Sequence, residues 1–374
     1  MNRFKKISTP SSLASTLIAI VILVYIAFIL QDIIVPFVFA ALLSFLLYPI
    51  CQWLENKKVP RILAIIFSII LVVGILVLII YAAYTQIIQL ESLFPMVDNK
   101  VQVWISDISK FLNSNFGIQK SEILAEGQKY LSEAVKTGSK LVGATLGSTS
   151  NFLLSLGLMP LYIFLMLMYR DFLNTFVFKW LKDTSKHKIM TTINKVKEVV
   201  KSYILGLVLV ILIVGALNSA ALYFIGIDHA LFFGFFAAVL VIIPYIGVAI
   251  GSALPIFVAL VTKDSYLAAA AVAASFAAIQ FLEGNFITPY VVGNQVSINA
   301  LVAITALLLF GNLWGIGGMI LALPVTAILK VIFDSNERLS AWGFLLGDAE
   351  NEDVRIVKKH FRFREFYDTV KKKI

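Results

Sequence analysis

The run Glu283-Gly284-Asn285-Phe286-Ile287-Thr288-Pro289-Tyr290-Val291-Val292-Gly293 contains the only charged side chain in the 65 residues from Ser265 to Leu329. Almost everything around it is Ala, Val, Ile, Leu, Phe or Gly. A carboxylate set in so much hydrocarbon-compatible sequence is costly, and such residues face a bundle interior or a water-filled path. Directly beyond it the chain turns polar and helix-breaking, at a depth where irregular backbone survives only against protein or a lined cavity. Charge and break together point to a site for moving something across a membrane.

The composition sets that site in context. Of 374 residues, 60% are hydrophobic and 14% charged, whereas soluble domains carry about 25% charged residues. The fold class is therefore an all-α polytopic membrane protein. The first apolar run, Leu13 to Leu30, is long and lacks a small-residue cleavage site, so it reads as a retained helix. Thr9-Pro10-Ser11 just before it has the form of a helix start. Cys51 is the one cysteine, which excludes an intramolecular disulfide. His187, His229 and His360 have no ligand spacing, so no metal site is indicated. No nucleotide-binding motif is present, and no cofactor is implied. The net charge of +9 comes from basic residues clustered beside apolar spans. That pattern argues for topology and anionic lipid contact, not nucleic acid.

Uncharged runs of spanning length occur at Leu13–Ile34, Val35–Leu54, Ile62–Tyr84, Asn151–Tyr169 and Tyr203–Phe224. Pro36 marks the expected turn between the first two, with Gln31-Asp32 as an outer loop. Eight Lys/Arg against three acidic residues make Arg170–Lys201 a cytoplasmic loop. Thr85–Ser150, with six Lys and six acidic residues, falls outside and reads as two or more amphipathic helices. The expected organisation is thus helices 1–3 over 1–84, an extracytoplasmic section over 85–150, and helices 4–5 over 151–224. A motif-rich region over 225–333 and a cytoplasmic tail over 334–374 complete it. Both termini are expected in the cytoplasm of a cell whose plasma membrane the chain crosses.

After Phe224 the pattern becomes irregular. His229 to Ile243 is short for a span and ends at Pro244-Tyr245-Ile246-Gly247, followed by a second short run to Val261. Two half-length segments joined by Pro and Gly read as a re-entrant hairpin, with a broken helix as the alternative. Ser265–Leu282 is an Ala-rich helix suited to close packing. The Glu283–Asn299 break follows, then a short run to Phe310, a turn over Gly311–Gly318 that contains Asn312, and a last helix containing Pro324.

Glu283 has three possible roles: proton carrier, ligand for a cation or polar solute, or structural hydrogen-bond partner. Gln280, Asn285 and Thr288 lie within about two helical turns of it. Thr288-Pro289 is expected to be extended, freeing carbonyls towards a ligand, with Gly293 closing the stretch. The break at Pro244, Tyr245 and Gly247 is its counterpart, since paired interrupted segments mark transporter sites. Asn218 and Ser219 lie in the Tyr203–Phe224 helix, where polar residues are more often interhelical glue than ligands.

These motifs carry a resemblance. Pro244-Tyr245-Ile246-Gly247 with Gly251 and Pro255 comes first, then Glu283-x-x-x-Ile287-Thr288-Pro289-x-x-x-Gly293. Gly311-x-x-x-Gly315-x-Gly317 and Ala322-x-Pro324 complete the set. Together they resemble the autoinducer-2 exporter family of bacterial permeases. The resemblance implies about eight spans, cytoplasmic termini, a homo-oligomer of pentamer type and an elevator-like movement of the C-terminal half. It leaves open an exporter of a small polar solute such as autoinducer-2, a sodium/proton antiporter using Glu283, and an oligomeric channel. No catalytic constellation speaks for an enzyme.

Overall fold

The computed structural model describes residues 10–91, 106, 114, 149–244, 246–263, 265–293 and 298–347. Most of the external section expected from Thr85 to Ser150, the tail beyond Gly347, and Tyr245 lie outside the described residues. Among those described, the regular structure is helical, with one isolated backbone bridge between Ile298 and Gly347.

Helix α1 runs Pro10–Ile29 and α2 runs Gln31–Asn56. The break falls at Leu30, not at Pro36, and Gln31 and Asp32 are helical instead of forming a loop. Pro36 sits inside α2, five residues past its start, where it gives up the bond to the Asp32 carbonyl without ending the helix. The break leaves carbonyls at the end of α1 without helical donors, and that of Ala27 accepts from Trp314 Nε1 at 2.9 Å.

Helix α3 spans Arg61–Glu91 and α4 spans Thr149–Met168. The basic segment expected as a loop is mostly helical, forming α5 (Arg170–Trp180) and the first turns of the 40-residue α6 (Lys186–Ile225). Its apolar residues recur at helical spacing between the lysines, which a reading by charge alone overlooks. Five helices are long and apolar enough to cross a bilayer, or six if the bent α4–α5 pair counts as one. Ala300–Asp334 is among the five although it bends sharply within, and the apolar helices α1, Ala230–Leu240 and Ile246–Thr262 come in addition.

The last two, α7 (Ala230–Leu240) and α8 (Ile246–Thr262), form a pair. At 1.5 Å per residue they measure about 16 and 26 Å, short of the roughly 30 Å hydrocarbon core. They fold back on each other through residues 241–245. A Cβ on Gly247 would lie 1.6 Å from the Leu240 carbonyl oxygen, so no other residue allows the turn. The open ends also meet: the Lys263 ammonium comes within 3.7 Å of the Cβ position at Gly226. The two arms thus form a closed helical hairpin, the shape expected of a re-entrant pair.

Helix α9 (Tyr266–Leu282) is capped by Ser265, whose side chain accepts from Leu267 N. It continues through two wide π-turns, Glu283–Ile287 and Pro289–Gly293. Helix α10 (Ala300–Asp334) folds back at Trp314 (φ −133°, ψ 17°) and Gly315 (φ 60°, ψ −141°). Gly318 consequently lies against Phe310, where a Cβ would be 1.9 Å from the carbonyl oxygen. This is a second helical hairpin, with the expected turn at its tip. Its mouth is fastened by Asn299, which caps α10 through Val302 N at 2.9 Å. The same side chain donates to the carbonyls of Leu345 and Gly347 at the end of α11 (Ser340–Leu346).

The chain divides into two compact units. One comprises Met1–Pro49, Met166–Leu207 and Pro289–Ile374; the other comprises Ile50–Leu165 and Val208–Thr288. The first has a core of Leu42, Val200 and Leu321 with Phe39 and Trp314 around it. The second is built on Leu222, Phe233, Val258, Val272 and Phe276, which bind α6, the first hairpin and α9 together.

Candidate functional site

The site lies within the second unit and begins with the π-turn. Thr288 is helical (φ −62°, ψ −47°), not extended, and its N–H donates to the Glu283 carbonyl five residues back. A proline clashes with the carbonyl four residues before it and normally forces its predecessor out of the helix. Widening the turn by one residue relieves that clash and keeps the chain helical. It also places residues five apart on one face. Thr288 Oγ1 therefore donates to Glu283 Oε1, while Gln280 Nε2 donates to Oε2 at 2.6 Å. Glu283 is buried, and both its oxygens are held by neutral donors. No basic side chain pairs with it among the described residues.

Gln280 connects this carboxylate to a cavity of about 190 Å³ between α6, the two arms of the first hairpin, and α9. Its walls are mostly apolar, including Val214, Val241, Val248 and Phe276, and its polar lining is Asn218, Ser252 and Gln280. The Gln280 amide nitrogen donates to Glu283, so its amide oxygen is left to accept elsewhere. Ser252 Oγ donates to Val248 O at 2.8 Å and keeps acceptor capacity. Asn218 is 4% exposed, and its Oδ1 is buried with no hydrogen-bond partner. An unmade bond of that kind costs about 1–3 kcal/mol. The cavity is therefore rich in acceptors and suits a ligand that brings donors, such as a hydroxylated solute or a cation.

The structure sorts the remaining candidates. Asn218 is not interhelical glue; its neighbour Ser219 is the residue at the helix contact, with Oγ 3.4 Å from Leu231 O and its backbone against Gly234. Pro244 and Gly247 form the hairpin tip, between cavity residues Val241 and Val248. Glu283 does not itself line the cavity; it stands behind Gln280. Asn285 is exposed and its amide donates to Phe281 O, so it is not part of this group. Pro289 and Gly293 bound the second π-turn. Asn312 is exposed near the tip of the second hairpin, donating to Leu308 O. Ser252 was missed, although a hydroxyl beside Gly251 in an otherwise apolar arm is a readable signal.

A helical membrane protein with a mostly apolar cavity that carries three polar side chains, beside a short helical hairpin and a buried carboxylate, belongs to the class of membrane transporters. Residues 17–338 match the family described as AI-2E family transporter, and the chain belongs to that family. It is similar to YrrI of Bacillus subtilis, with 26% identity over 313 residues covering 81% of this chain and 86% of that protein. YueF of the same organism is 27% identical over 315 residues, covering 81% and 84%. The AI-2 transport protein TqsA of Escherichia coli is 26% identical over 323 residues, covering 86% and 91%.

Proposed function

We propose that this chain is a secondary transporter of a small polar, hydrogen-bond-donating solute in the plasma membrane, with the Asn218–Ser252–Gln280 cavity as its binding site. The observation that carries this reading is the unpartnered Asn218 Oδ1 at a cavity wall. Structural polar groups in membranes find partners, whereas a ligand-binding one waits for its ligand. The AI-2 in the name of TqsA makes autoinducer-2-like sugars the first candidates, since they carry the hydroxyl donors that two amide oxygens accept. An elevator-like movement of the C-terminal half, in a homo-oligomer of pentamer type, is the mechanism that accompanies this reading.

The buried carboxylate favours a second reading, exchange of a cation for protons through Glu283. Flux into proteoliposomes decides between them, comparing autoinducer-2-like sugars with sodium, each with and without a pH gradient. Sugar flux that is indifferent to sodium supports the first; sodium flux that requires the pH gradient supports the second.

Asn218→Leu provides the sharper test. Removing an unsatisfied buried polar group should leave the melting temperature equal or higher, while flux of the true substrate falls at least tenfold, about 1.4 kcal/mol. A variant that transports normally would return Asn218 to a packing role.

Chain order adds a topological expectation. Lys263 ends the first hairpin, α9 and its π-turns cross once, and Asn336 follows the second hairpin. Single cysteines at Lys263 and Asn336, in a Cys51→Ser background, should be labelled from opposite sides of the membrane, Asn336 from the cytoplasm. Labelling from the same side would contradict the re-entrant reading of one hairpin.

A further inference from the structure

Helix α5 presents three distinct faces. At 100° per residue, Arg170, Asn174, Val177 and Phe178 share one side, and these are its half-buried positions. Asp171, Thr175 and Lys179 form a second, exposed polar side. Phe172, Leu173, Phe176 and Trp180 cover a third arc, about 100° wide. That arc is bare: Phe172 is 69% exposed, Phe176 56% and Trp180 74%, with the last two rings stacked at 6.1 Å. A helix contacting protein on one side, water on another and nothing apolar on a third is not explained by packing.

Its direction supplies the second observation. The axis turns 67° from the Gly157–Met168 segment, which is apolar enough to form part of a span. A helix that leaves a spanning segment at so steep an angle runs close to the plane of the membrane surface. Charge supplies the third. The exposed lysines Lys179, Lys182 and Lys186 follow at its end and at the start of α6, opposed locally by Asp183, while Lys188 beyond them pairs with Glu337. Basic flanks with aromatic and aliphatic residues on one face are the signature of an interfacial helix on anionic lipid.

We propose that α5 is an in-plane membrane-surface helix that binds anionic phospholipid. Phe172, Leu173, Phe176 and Trp180 sit at the acyl boundary, Asp171 and Thr175 face water, and Lys179 and Lys182 hold headgroup phosphates. Bound in this way, α5 sets the depth at which α6, the helix that carries Asn218, begins.

The test places an environment-sensitive fluorophore at Phe176→Cys or Thr175→Cys in the Cys51→Ser background. The full chain is reconstituted in vesicles of phosphatidylcholine with or without phosphatidylglycerol. The probe at 176 should emit as if in hydrocarbon and be quenched by brominated lipid, while the probe at 175 stays water-like. Brominated phosphatidylglycerol should quench position 176 more than brominated phosphatidylcholine at equal mole fraction. Lys179→Gln with Lys182→Gln should lower that preference about fivefold for each lysine, while quenching itself persists. Two outcomes overturn the proposal. Position 176 unquenched by any brominated lipid means that protein, the tail or a second copy, covers the face. A preference unchanged by the lysine substitutions removes the anionic headgroup from the site.

Discussion

Gly247→Ala is expected to unfold the first hairpin and abolish transport. The added Cβ would sit 1.6 Å from the Leu240 carbonyl oxygen, and that obstacle is backbone, which cannot rotate aside as a flexible side chain would. Opening the tip to admit it separates the arms along their length, because they are equally close one turn further on, where a Cβ on Gly251 would lie 2.9 Å from Ala237 Cα. Overpacking in a rigid core costs about 1–3 kcal/mol, and this case should reach or exceed the upper end. The unfolding midpoint of the purified protein in detergent reports the loss, with flux measured in parallel. Gly284→Ala is the control: no atom lies within 4 Å of its Cβ position, so stability should be unchanged or slightly raised. A Gly247→Ala protein that melts and transports like the parent would mean that the hairpin does not close in this way.

The same glycine shows how far the sequence could be read. Segment length and the Pro244–Gly247 signal were enough to expect a re-entrant hairpin, because an 11-residue arm cannot cross a bilayer whatever it packs against. Gly311–Gly318 announced the second turn for the same reason. Around Glu283, the residues were legible but the backbone was not. The rule that a residue before proline leaves the helix is local, and in the structure a helix that is already formed widens to a π-turn instead of ending. Pro36 likewise stays inside a helix, and the break settled at Leu30 instead. Asn218 was visible as a polar residue in a span. Whether such a residue meets a neighbour or an empty cavity depends on the hairpin opposite, which no local pattern encodes.

Glu283→Gln should reduce flux by about two orders of magnitude, and the loss should be shared with Thr288 rather than added to it. The carboxylate accepts one hydrogen bond from Gln280 and one from Thr288. Leaving a buried hydrogen-bonding group without its partner costs about 1–3 kcal/mol, so losing both bonds, about 2–6 kcal/mol, lies in the range of tens- to tens-of-thousands-fold. A glutamine in this place carries its own N–H donors, which face the donors of Gln280 and Thr288 unless one of these amides turns. Thr288→Val removes a single bond and should cost about tenfold, while the double variant should be little worse than Glu283→Gln alone. That non-additivity is what a double-mutant cycle measures for groups acting as one unit. On this reading Glu283 acts by fixing the amide of Gln280, a residue of the cavity wall. If the carboxylate instead exchanges protons or cations directly, Thr288→Val should leave the pH-driven component of flux nearly intact while Glu283→Gln eliminates it. Additive losses, or full flux in Glu283→Gln, would separate the carboxylate from the cavity and leave Asn218 and Gln280 as the ligand-binding pair.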